Sequence, residues 1–457
     1  MKLFYNAKFY SMDKEGEFFS AVLVNNGTIL ETLKNTPEFQ DIEKINLENS
    51  FVYPGFIDTH THSFEGGLYS SGVNLENVTS LEEVFELLVE AKPIDGKILA
   101  FHFDENDIKE QRFPTAEELD KIYPEMPVLL RRVDGHSSVI NTSAAKKINW
   151  EKPLLANFNG YLNKSMDGKA SKWFHENLSD EAILRAYTKA SEIALQTGHT
   201  TIHTMVGNTR SDTKHFKLIQ KNINNFPIEF ILYPQITDIE SALEIGSPRI
   251  GGCLLADGSF GSHTAALLQP YSDQPDNKGI LYRSNEFWEK FIRKAHRENL
   301  QVFIHCIGDA AITQILNCYE KVQKKNSKDM RHGIIHNELT SDNMLDRMQK
   351  INISSIMQPA FDRLWGGNNG LYEKRLGKER TSRTNRLASI YNRGILITGG
   401  SDWYITDLNA LKGIDAAVRI HNPYERLSKF QALELYTSNA AQLSSDENRL
   451  GRIKKEL

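Results

Sequence analysis

The fold of this chain is decided by one stretch, Tyr53-Pro54-Gly55-Phe56-Ile57-Asp58-Thr59-His60-Thr61-His62. An apolar run ends there in two histidines one residue apart. Residues i and i+2 of an extended strand point to the same face, so the two imidazoles converge on one point. Two convergent neutral imidazoles form half of a zinc site, so the stretch predicts a metal centre at the end of a strand.

Length and composition limit the class of protein. The chain has 457 residues, 40% hydrophobic and 25% charged, which is typical of a soluble globular protein with a large core. Its net charge of −5 and its lack of a basic block argue against a nucleic-acid surface. No run is long enough to span a membrane, and residues 1–8 lack the apolar segment of a signal peptide. The three cysteines make a disulfide scaffold improbable and favour a reducing, cytoplasmic location. The expected partner is a small-molecule substrate rather than a nucleic acid or a membrane.

From about residue 180 onward, short apolar strands alternate with amphipathic helices. The predicted strands number eight: 51–58, 200–205, 228–233, 250–256, 301–305, 333–336, 351–356 and 395–399. The predicted helices between them include 179–196, 286–298, 310–322, 341–348 and 383–392. Eight strands joined largely by helices over this length predict an α/β fold of the (β/α)8 TIM barrel type.

Two regions depart from this alternation. Residues 1–50 hold short β-like stretches at 3–10, 21–25 and 28–33, with Asn25-Asn26-Gly27 as a hairpin turn, which indicates a small β-domain. Residues 64–178 form a long insertion between the first strand and the next βα unit.

The candidate ligands lie at the ends of the predicted strands. In a barrel, functional side chains sit at the carboxyl ends of the strands. Those ends carry His60 and His62 on strand 1, His305 on strand 5, His336 on strand 6 and Asp402 on strand 8. Any one of these histidines alone would be interpreted as an ordinary polar residue, and Asp402 alone as a helix N-cap. Together they are the imidazole and carboxylate set of a hydrolytic metal site.

With these motifs the sequence resembles the amidohydrolase superfamily, and most of all amidohydrolase family 3, which includes N-substituted formamide deformylase-like proteins. The resemblance covers nearly the whole chain and includes Phe103-Asp104-Glu105-Asn106, Arg112-Phe113-Pro114-Thr115, Pro127-Val128-Leu129-Leu130-Arg131-Arg132-Val133-Asp134-Gly135-His136, Ala256-Asp257-Gly258-Ser259-Phe260-Gly261-Ser262, Gln358-Pro359 and Gly400-Ser401-Asp402. It implies a barrel flanked by a small β-sandwich from both termini, with a divalent metal centre at the barrel mouth.

This resemblance implies that the chain is divided into three parts. Residues 1–50 with 443–457 would form the small β-domain, and whether the C-terminal strand of relatives is trimmed in this domain stays open. Residues 51–63 with 179–442 would form the hydrolase barrel. Residues 64–178 would form an insertion subdomain that covers the active site.

The resemblance also implies roles for the strand-end residues. His60, His62 and Asp402 match the ligands of the more buried metal, and His305 and His336 match those of a second metal. If only one ion binds, the latter pair become a ligand and a substrate contact. The expected cofactor is Zn²⁺ or another divalent metal, as one or two ions. The implied reaction is hydrolysis of amide-type C–N bonds, in which metal-activated hydroxide attacks a carbonyl and Asp402 acts as general acid and base.

Two residues of the insertion are candidate substrate contacts. His136 matches a substrate-reaching position of this branch, and the alternative is a loop histidine that donates to backbone. Arg131 has the residue type to bind a substrate carboxylate, and the alternative is an arginine in water or paired with an aspartate.

Cys253 is the main departure from the family pattern. Relatives place a carboxylated lysine on strand 4, and the sequence has Cys253 at that position. Three interpretations stay open: a thiolate ligand, a bystander beside a single metal, or a small buried hydrophobe. The thiol is much shorter than a carboxylated lysine, so a bridging role requires closer metals or a shifted strand.

Two rival functions follow from the same residues. One is a deaminase of a cyclic substrate with a single metal. The other is a non-catalytic barrel that binds a ligand, an alternative raised by the missing lysine. The substrate stays undefined because pocket loops vary freely on this fold, and the resemblance leaves a homodimer open.

Overall fold

A computed structural model describes residues 1–36, 41–133, 137–150, 158–176, 178–207 and 212–456. Contacts divide the chain into two compact units, Met1–His62 with Ile193–Leu457 and, separately, Ser63–Glu192. Among the helices of the described residues, none has the length and apolarity needed to cross a membrane.

The first unit begins with a four-stranded sheet made of β1 (Lys2–Tyr10), β2 (Phe18–Asn25), β3 (Thr28–Leu33) and β4 (Glu43–Val52). The strand order is β3-β2-β1-β4, and β1 is antiparallel to β2 but parallel to β4. Asn26 and Gly27 both have positive φ, as the predicted hairpin turn requires. Near the C-terminus Ile453 N donates to Ser11 O at 2.9 Å, so that segment adds hydrogen bonds to this region without a strand of its own among the described residues.

The predicted strand 51–58 is wrong in its first half. Phe51 and Val52 end β4, and the next strand, β5 (Phe56–Thr61), begins after a break at residues 53–55. Proline offers no N–H for a strand ladder, and a Cβ on Gly55 would lie 2.2 Å from the Thr200 hydroxyl oxygen. The break therefore starts β5 late and places His60 inside it.

The second unit is built on a five-stranded sheet of β6 (Val73–Asn74), β7 (Ile98–Phe103), β8 (Val128–Arg132), β9 (Ser137–Ile140) and β10 (Tyr161–Asn163). The order is β10-β9-β8-β7-β6, with β6, β7 and β8 parallel. Its helices are α1 (Ser63–Ser70), α2 (Leu81–Val89), α3 (Ala116–Ile122), α4 (Thr142–Lys147) and α5 (Lys164–Glu176). The apolar side chains of this unit form their own core around Leu88, Ile98 and Phe103. That the insertion covers the active site stays a prediction.

After α6 (Asp180–Gln196), seven more strands follow in the first unit: β11 (His199–Val206), β12 (Glu229–Pro234), β13 (Arg249–Leu255), β14 (Gln301–Cys306), β15 (Gly333–His336), β16 (Ser354–Met357) and β17 (Ile397–Gly399). They form two parallel sheets with β5, in the orders β12-β11-β5 and β13-β14-β15-β16-β17. These strands are largely buried, as expected for parallel strands covered on both faces.

Helices separate these strands, and they are α7 (Lys214–Lys221), α8 (Ile239–Glu244), α9 (Asn285–Arg297), α10 (Asp309–Lys325), α11 (Asp342–Lys350), α12 (Pro359–Trp365), α13 (Leu371–Leu376), α14 (Lys378–Thr381), α15 (Leu387–Asn392), α16 (Ala410–Val418), α17 (Lys429–Glu434) and α18 (Ser438–Ser444). The apolar faces of α8 to α11 and α15 to α17 share one core with the strands, with Trp288, Ile315 and Tyr319 fully buried in it. The predicted α/β class is confirmed, and the structure adds the short helices α12, α13 and α14.

The two parallel sheets meet where β5 approaches the segment after β17. Thr61 forms a parallel bridge with Trp403, Asp402 N donates to His60 O at 2.8 Å, and His62 N donates to Trp403 O at 2.6 Å. Because β5 and β17 run in the same direction, their carboxyl ends lie side by side. This contact brings the first and last candidate ligands together.

Candidate metal centre

His60 and His62 lie on adjacent positions of one face, as their spacing predicts. Their ring centroids are 5.3 Å apart, and His60 is fully buried. The backbone there is held by Asp58, which accepts from His60 N at 3.0 Å and from Ser401 N at 2.9 Å. Burial raises the pKa of Asp58 to about 7, although these N–H donors oppose the shift. Asp58 thus ties β5 to the loop that carries Asp402.

Asp402 lies close to both of these histidines. Its Oδ1 atom lies 3.1 Å from His60 Nε2 and 3.2 Å from His62 Nε2. Its φ of +55° is unusual for a residue other than glycine and is typical of functional positions. Apart from these close contacts with each other, Asp402 Oδ1 and both ring nitrogens of His60 are buried without a hydrogen-bond partner among the described residues. Such atoms are costly unless a ligand binds them, so their arrangement fits a cation.

His336 enters from the end of β15 with a φ of +71°. Its Nδ1 lies 2.7 Å from Gln358 Oε1, and the ring of Phe361 stacks on it at 5.7 Å. Because the amide oxygen accepts only, Nδ1 carries the proton and Nε2 keeps a free lone pair in the neutral ring. A ring fixed in this way is typical of a metal ligand with a supporting hydrogen bond.

His305 lies on the neighbouring strand, with its ring centroid 4.4 Å from that of His336. Its Nε2 lies 3.2 Å from Gly258 O, and its Nδ1 lies 3.8 Å from Cys253 Sγ. The carbonyl oxygen is an acceptor, so Nε2 carries a proton and Nδ1 faces the thiol. His305 therefore faces the centre with Nδ1, whereas His336 faces it with Nε2.

The ligand atoms fall into two overlapping groups. One group is His60, His62 and Cys253, and the other is His60, His336 and Asp402; within each group the atoms lie within 4.8 Å of one another. His60 belongs to both. Nitrogen, oxygen and sulfur donors at this spacing suit a divalent transition metal.

The charges of the centre reinforce each other. Burial alone would raise the pKa of Asp402, but His60 and His62 hold it well below the usual range. Burial likewise would lower the pKa of His62, but Asp402 and Cys253 raise it well above the usual value. Burial would raise the pKa of the Cys253 thiol, but the facing imidazoles lower it well below its usual value. The site thus pairs an ionised carboxylate and thiolate with charged imidazoles, whose protons a bound cation would replace.

The first unit therefore brings together six of the residues that the sequence singled out: His60, His62, Cys253, His305, His336 and Asp402. Arg131 lies in the second unit, where its Nη1 donates to Tyr69 Oη at 2.6 Å and its Nη2 lies 3.5 Å from Asp167 Oδ2. Its role as a substrate contact stays a prediction. His136 lies outside the described residues.

Two supporting residues had no predicted role. Gln358 was part of a quoted motif, but its hydrogen bond to His336 depends on β15 and β16 being neighbours. Asp58 lies two residues before His60, and the signal for its role is its place in the same motif.

The sequence matches the model of the amidohydrolase family over residues 43–455. The chain belongs to the amidohydrolase family. It is 27% identical to the putative amidohydrolase YtcJ of Bacillus subtilis (strain 168), over 99% of this chain and 92% of that one. It is 21% identical to N-substituted formamide deformylase of Arthrobacter pascens, over 98% of this chain and 90% of that one.

A solved structure extends this similarity to the fold. An uncharacterized metal-dependent hydrolase from Pyrococcus furiosus superposes with a TM-score of 0.84 at 25% identity, over 99% of this chain and 96% of that one. The family and this neighbour support metal-dependent hydrolysis by this amidohydrolase. The donor set described above fits a divalent ion.

Proposed function

We propose that this amidohydrolase hydrolyses amide-type C–N bonds at a divalent metal centre. The observation that carries the proposal is the convergence of His60, His336 and Asp402, whose ligand atoms lie within 4.8 Å of one another at the carboxyl ends of three parallel strands. A buried carboxylate and two imidazoles are the donors of hydrolytic metal sites.

The proposal includes closure of the eight parallel strands into a (β/α)8 barrel. The Thr61–Trp403 bridge supports closure on one side. On the other side Gln235, which follows β12, donates from Nε2 to Cys253 O in β13 at 3.0 Å. A small β-domain would flank the barrel, and the insertion would be a separate subdomain.

In the proposed ligand assignment, His60, His62 and Asp402 hold one ion. His305 and His336 hold a second ion or, with one ion bound, serve as a ligand and a substrate contact. The free lone pair that Gln358 leaves on His336 Nε2 and the Nδ1 atom of His305 support this second pair.

The reaction needs an activated water, a polarised carbonyl and a proton for the leaving nitrogen. A divalent ion at this site would supply the first two by acidifying water and acting as a Lewis acid. Asp402 would accept the proton released during attack and return it to the departing nitrogen, as general base and then general acid. Its ionised state and its place between two imidazoles support that role.

The deformylase relative supports an amide substrate, and N-substituted formamides are the first compounds to test. His136 and Arg131 are proposed as substrate contacts on the basis of the family motif alone.

The test combines metal content with turnover. Purified protein should contain stoichiometric divalent metal and hydrolyse members of an amide panel. His60→Ala with His62→Ala should lose the metal and lower kcat/KM by at least about 1000-fold. His263→Ala is the matched control, because His263 pairs with Asp273 at 3.0 Å and is not among the proposed ligands.

Three outcomes would contradict the proposal. Protein without bound metal, together with full activity of the double variant, would exclude a metal centre at these residues. Ammonia release from aminated heterocycles without amide hydrolysis would assign the chain to deamination. Stoichiometric metal with no turnover on any amide would indicate a binding protein.

A further inference from the structure

We infer that Cys253 is a thiolate ligand of the ion held by His60 and His62, and that it makes the centre selective for thiophilic ions such as Zn²⁺ and Co²⁺ over Mn²⁺ and Mg²⁺. The inference rests on the proposed function and goes beyond it by naming the class of metal. A thiolate ligand at Cys253 would do with a short side chain what a much longer carboxylated lysine does in relatives.

A bulge in the backbone of β13 compensates for the short side chain of Cys253. Gly251 pairs with Phe303 of β14, but the next pair is Leu254 with Ile304. Gly252 and Cys253 therefore have no partner in β14, and the strand is displaced locally at these two residues. A bulge of this kind bends the strand and redirects a side chain, often beside an active site.

The two glycines make this bulge possible. Gly251 and Gly252 have φ values of +102° and +84°, which other residues rarely adopt. A Cβ on Gly251 would lie 2.3 Å from Phe303 O, and one on Gly252 would lie 2.1 Å from Met205 Sδ. A strand with side chains at both positions would have to move away from its neighbours, so the pair Gly251-Gly252 specifies the displaced course.

The displaced course brings the thiol into the ligand cluster. Cys253 Sγ lies within 4.8 Å of ligand atoms of His60 and His62. The same atom is 3.8 Å from His305 Nδ1. Cys253 is buried, and its carbonyl is fixed by Gln235 at 3.0 Å. The thiol thus faces imidazoles, while Cys253 also packs in an apolar cluster with Met205, Tyr233 and Phe303.

The other two cysteines provide an internal comparison. Cys306 is the residue after His305, and its Sγ contacts the backbone O of Ile304 at 3.8 Å. Cys318 lies on α10, with its Sγ 3.9 Å from Asn285 O. All three thiols are free and buried, but only Cys253 is grouped with histidine ligands among the described residues.

A thiolate ligand at this position would make the centre selective among metal ions. Thiolate is a soft donor that favours zinc and related ions, whereas carboxylate and water suit Mg²⁺ and Mn²⁺. Replacing an oxygen ligand by sulfur therefore strengthens binding of thiophilic ions relative to oxygen-preferring ones.

The test uses the full-length protein loaded with Co²⁺ and read by absorption spectroscopy. Wild type should show a near-ultraviolet thiolate-to-cobalt charge-transfer band together with visible d–d bands. Cys253→Ser should lose the charge-transfer band and keep the d–d bands, whereas Cys306→Ala should keep both. A charge-transfer band that survives in Cys253→Ser, or that is absent from cobalt-loaded wild type, would overturn the inference while leaving the proposed function intact.

Competition between ions provides a second readout. Cys253→Ser should weaken Zn²⁺ binding by more than about 100-fold and Mn²⁺ binding by less than about 10-fold, because a direct ligand exceeds the 10- to 100-fold effect of supporting residues. Equal losses for both ions would overturn the selectivity. Failure of wild type to bind any divalent ion would instead overturn the proposed function. Circular dichroism on each variant separates loss of binding from loss of folding.

Discussion

β5 and β13 bring side chains to the same centre by different means. β5 pairs with β11 through single-residue shifts in register, and His60 and His62, two residues apart, still have their ring centroids 5.3 Å from each other. β13 is displaced by two residues against β14, and this displacement brings Cys253 inward. For the histidines the two-residue spacing alone predicts which side chains converge, whereas for Cys253 the pairing with the neighbouring strand decides it.

The difference shows where a sequence pattern predicts the direction of a side chain. Alternation fixes direction for every residue of a regular strand, so a two-residue spacing is informative by itself. In a bulged strand, direction depends on how the neighbouring strand pairs, so the same sequence pattern is ambiguous. The following predictions test each side of this comparison, from the largest expected effect to the smallest.

The largest effect should come from Asp402, whose carboxylate contacts both His60 and His62. Asp402→Asn removes the proposed proton-transfer group and should lower kcat by about 1000-fold, because general acid–base catalysis contributes on that scale. The measurement is steady-state kinetics on metal-loaded protein. Asp407→Asn, at an exposed residue paired with Lys412, is the control and should keep normal kcat. A loss below about 10-fold would remove Asp402 from the proton-transfer role.

β13 is tested through its glycines. Gly251→Ala should destabilise the protein by about 3 kcal/mol, because a Cβ there would meet the Phe303 carbonyl at a positive φ. Gly246→Ala is the matched control: its φ is +65° with nothing within 4 Å, so only roughly 1 kcal/mol is expected. Denaturant unfolding measures both. Equal costs would show that the bulge imposes no close contact of its own.

A smaller effect should come from Gln358, which supports the proposed ligand His336 at the end of β15. Gln358→Leu removes the acceptor for His336 Nδ1 and should weaken metal affinity by about 10- to 100-fold. Gln314→Leu is the control, since Gln314 is also buried but its amide nitrogen donates to Arg283 O and Asn285 Oδ1, outside the centre. Titration with a chelator competitor gives both affinities. Unchanged affinity in Gln358→Leu would show that the ring needs no such support.

The smallest effect contrasts the two ends of β15. His336 ends the strand at the centre, whereas His332 precedes it and accepts from Val302 N at 3.0 Å. Burial, with the charge of His296, lowers the pKa of His332 from its ordinary value of 6.5 to about 3. The unfolded chain therefore binds this proton first as pH falls from 6.5 towards 3. Wild type should lose about 1.4 kcal/mol of stability per pH unit in that window from this group.

Removal of His332 isolates that contribution. His332→Gln cannot take up the proton, so its unfolding free energy should fall less steeply below pH 6.5 than that of wild type. Thermal or urea unfolding at a series of pH values measures the slope. Parallel profiles for the two proteins would contradict a neutral, buried His332.

Much of the fold could be predicted because most elements are regular. The helix 179–196 matches α6 closely, since its apolar period is strong and Gly198 follows it with a φ of +83°. The predicted strand 51–58 was wrong because its apolar residues are continuous across the break, although Pro54 and Gly55 were a signal for that break in the sequence. The short helices α12, α13 and α14 were missed because four to seven residues carry too little periodicity.

The candidate site shows the same limit. The strand-end histidines and Asp402 could be proposed from position alone, because parallel strands share one carboxyl edge. The orientation of Cys253 and the hydrogen bond from His336 to Gln358 could not, because both depend on which strands are neighbours and in what register.

The bulge in β13 also bears on how such a centre changes during evolution. Pairing is regular on both sides of it, from Arg249 with Gln301 up to Gly251 and again from Leu254 with Ile304. Replacement of Cys253 alone, between these points, would change the donor atom while the paired residues on both sides stay in place. Under the proposed ligand role, the class of ligand and the metal preference could then change separately from the scaffold.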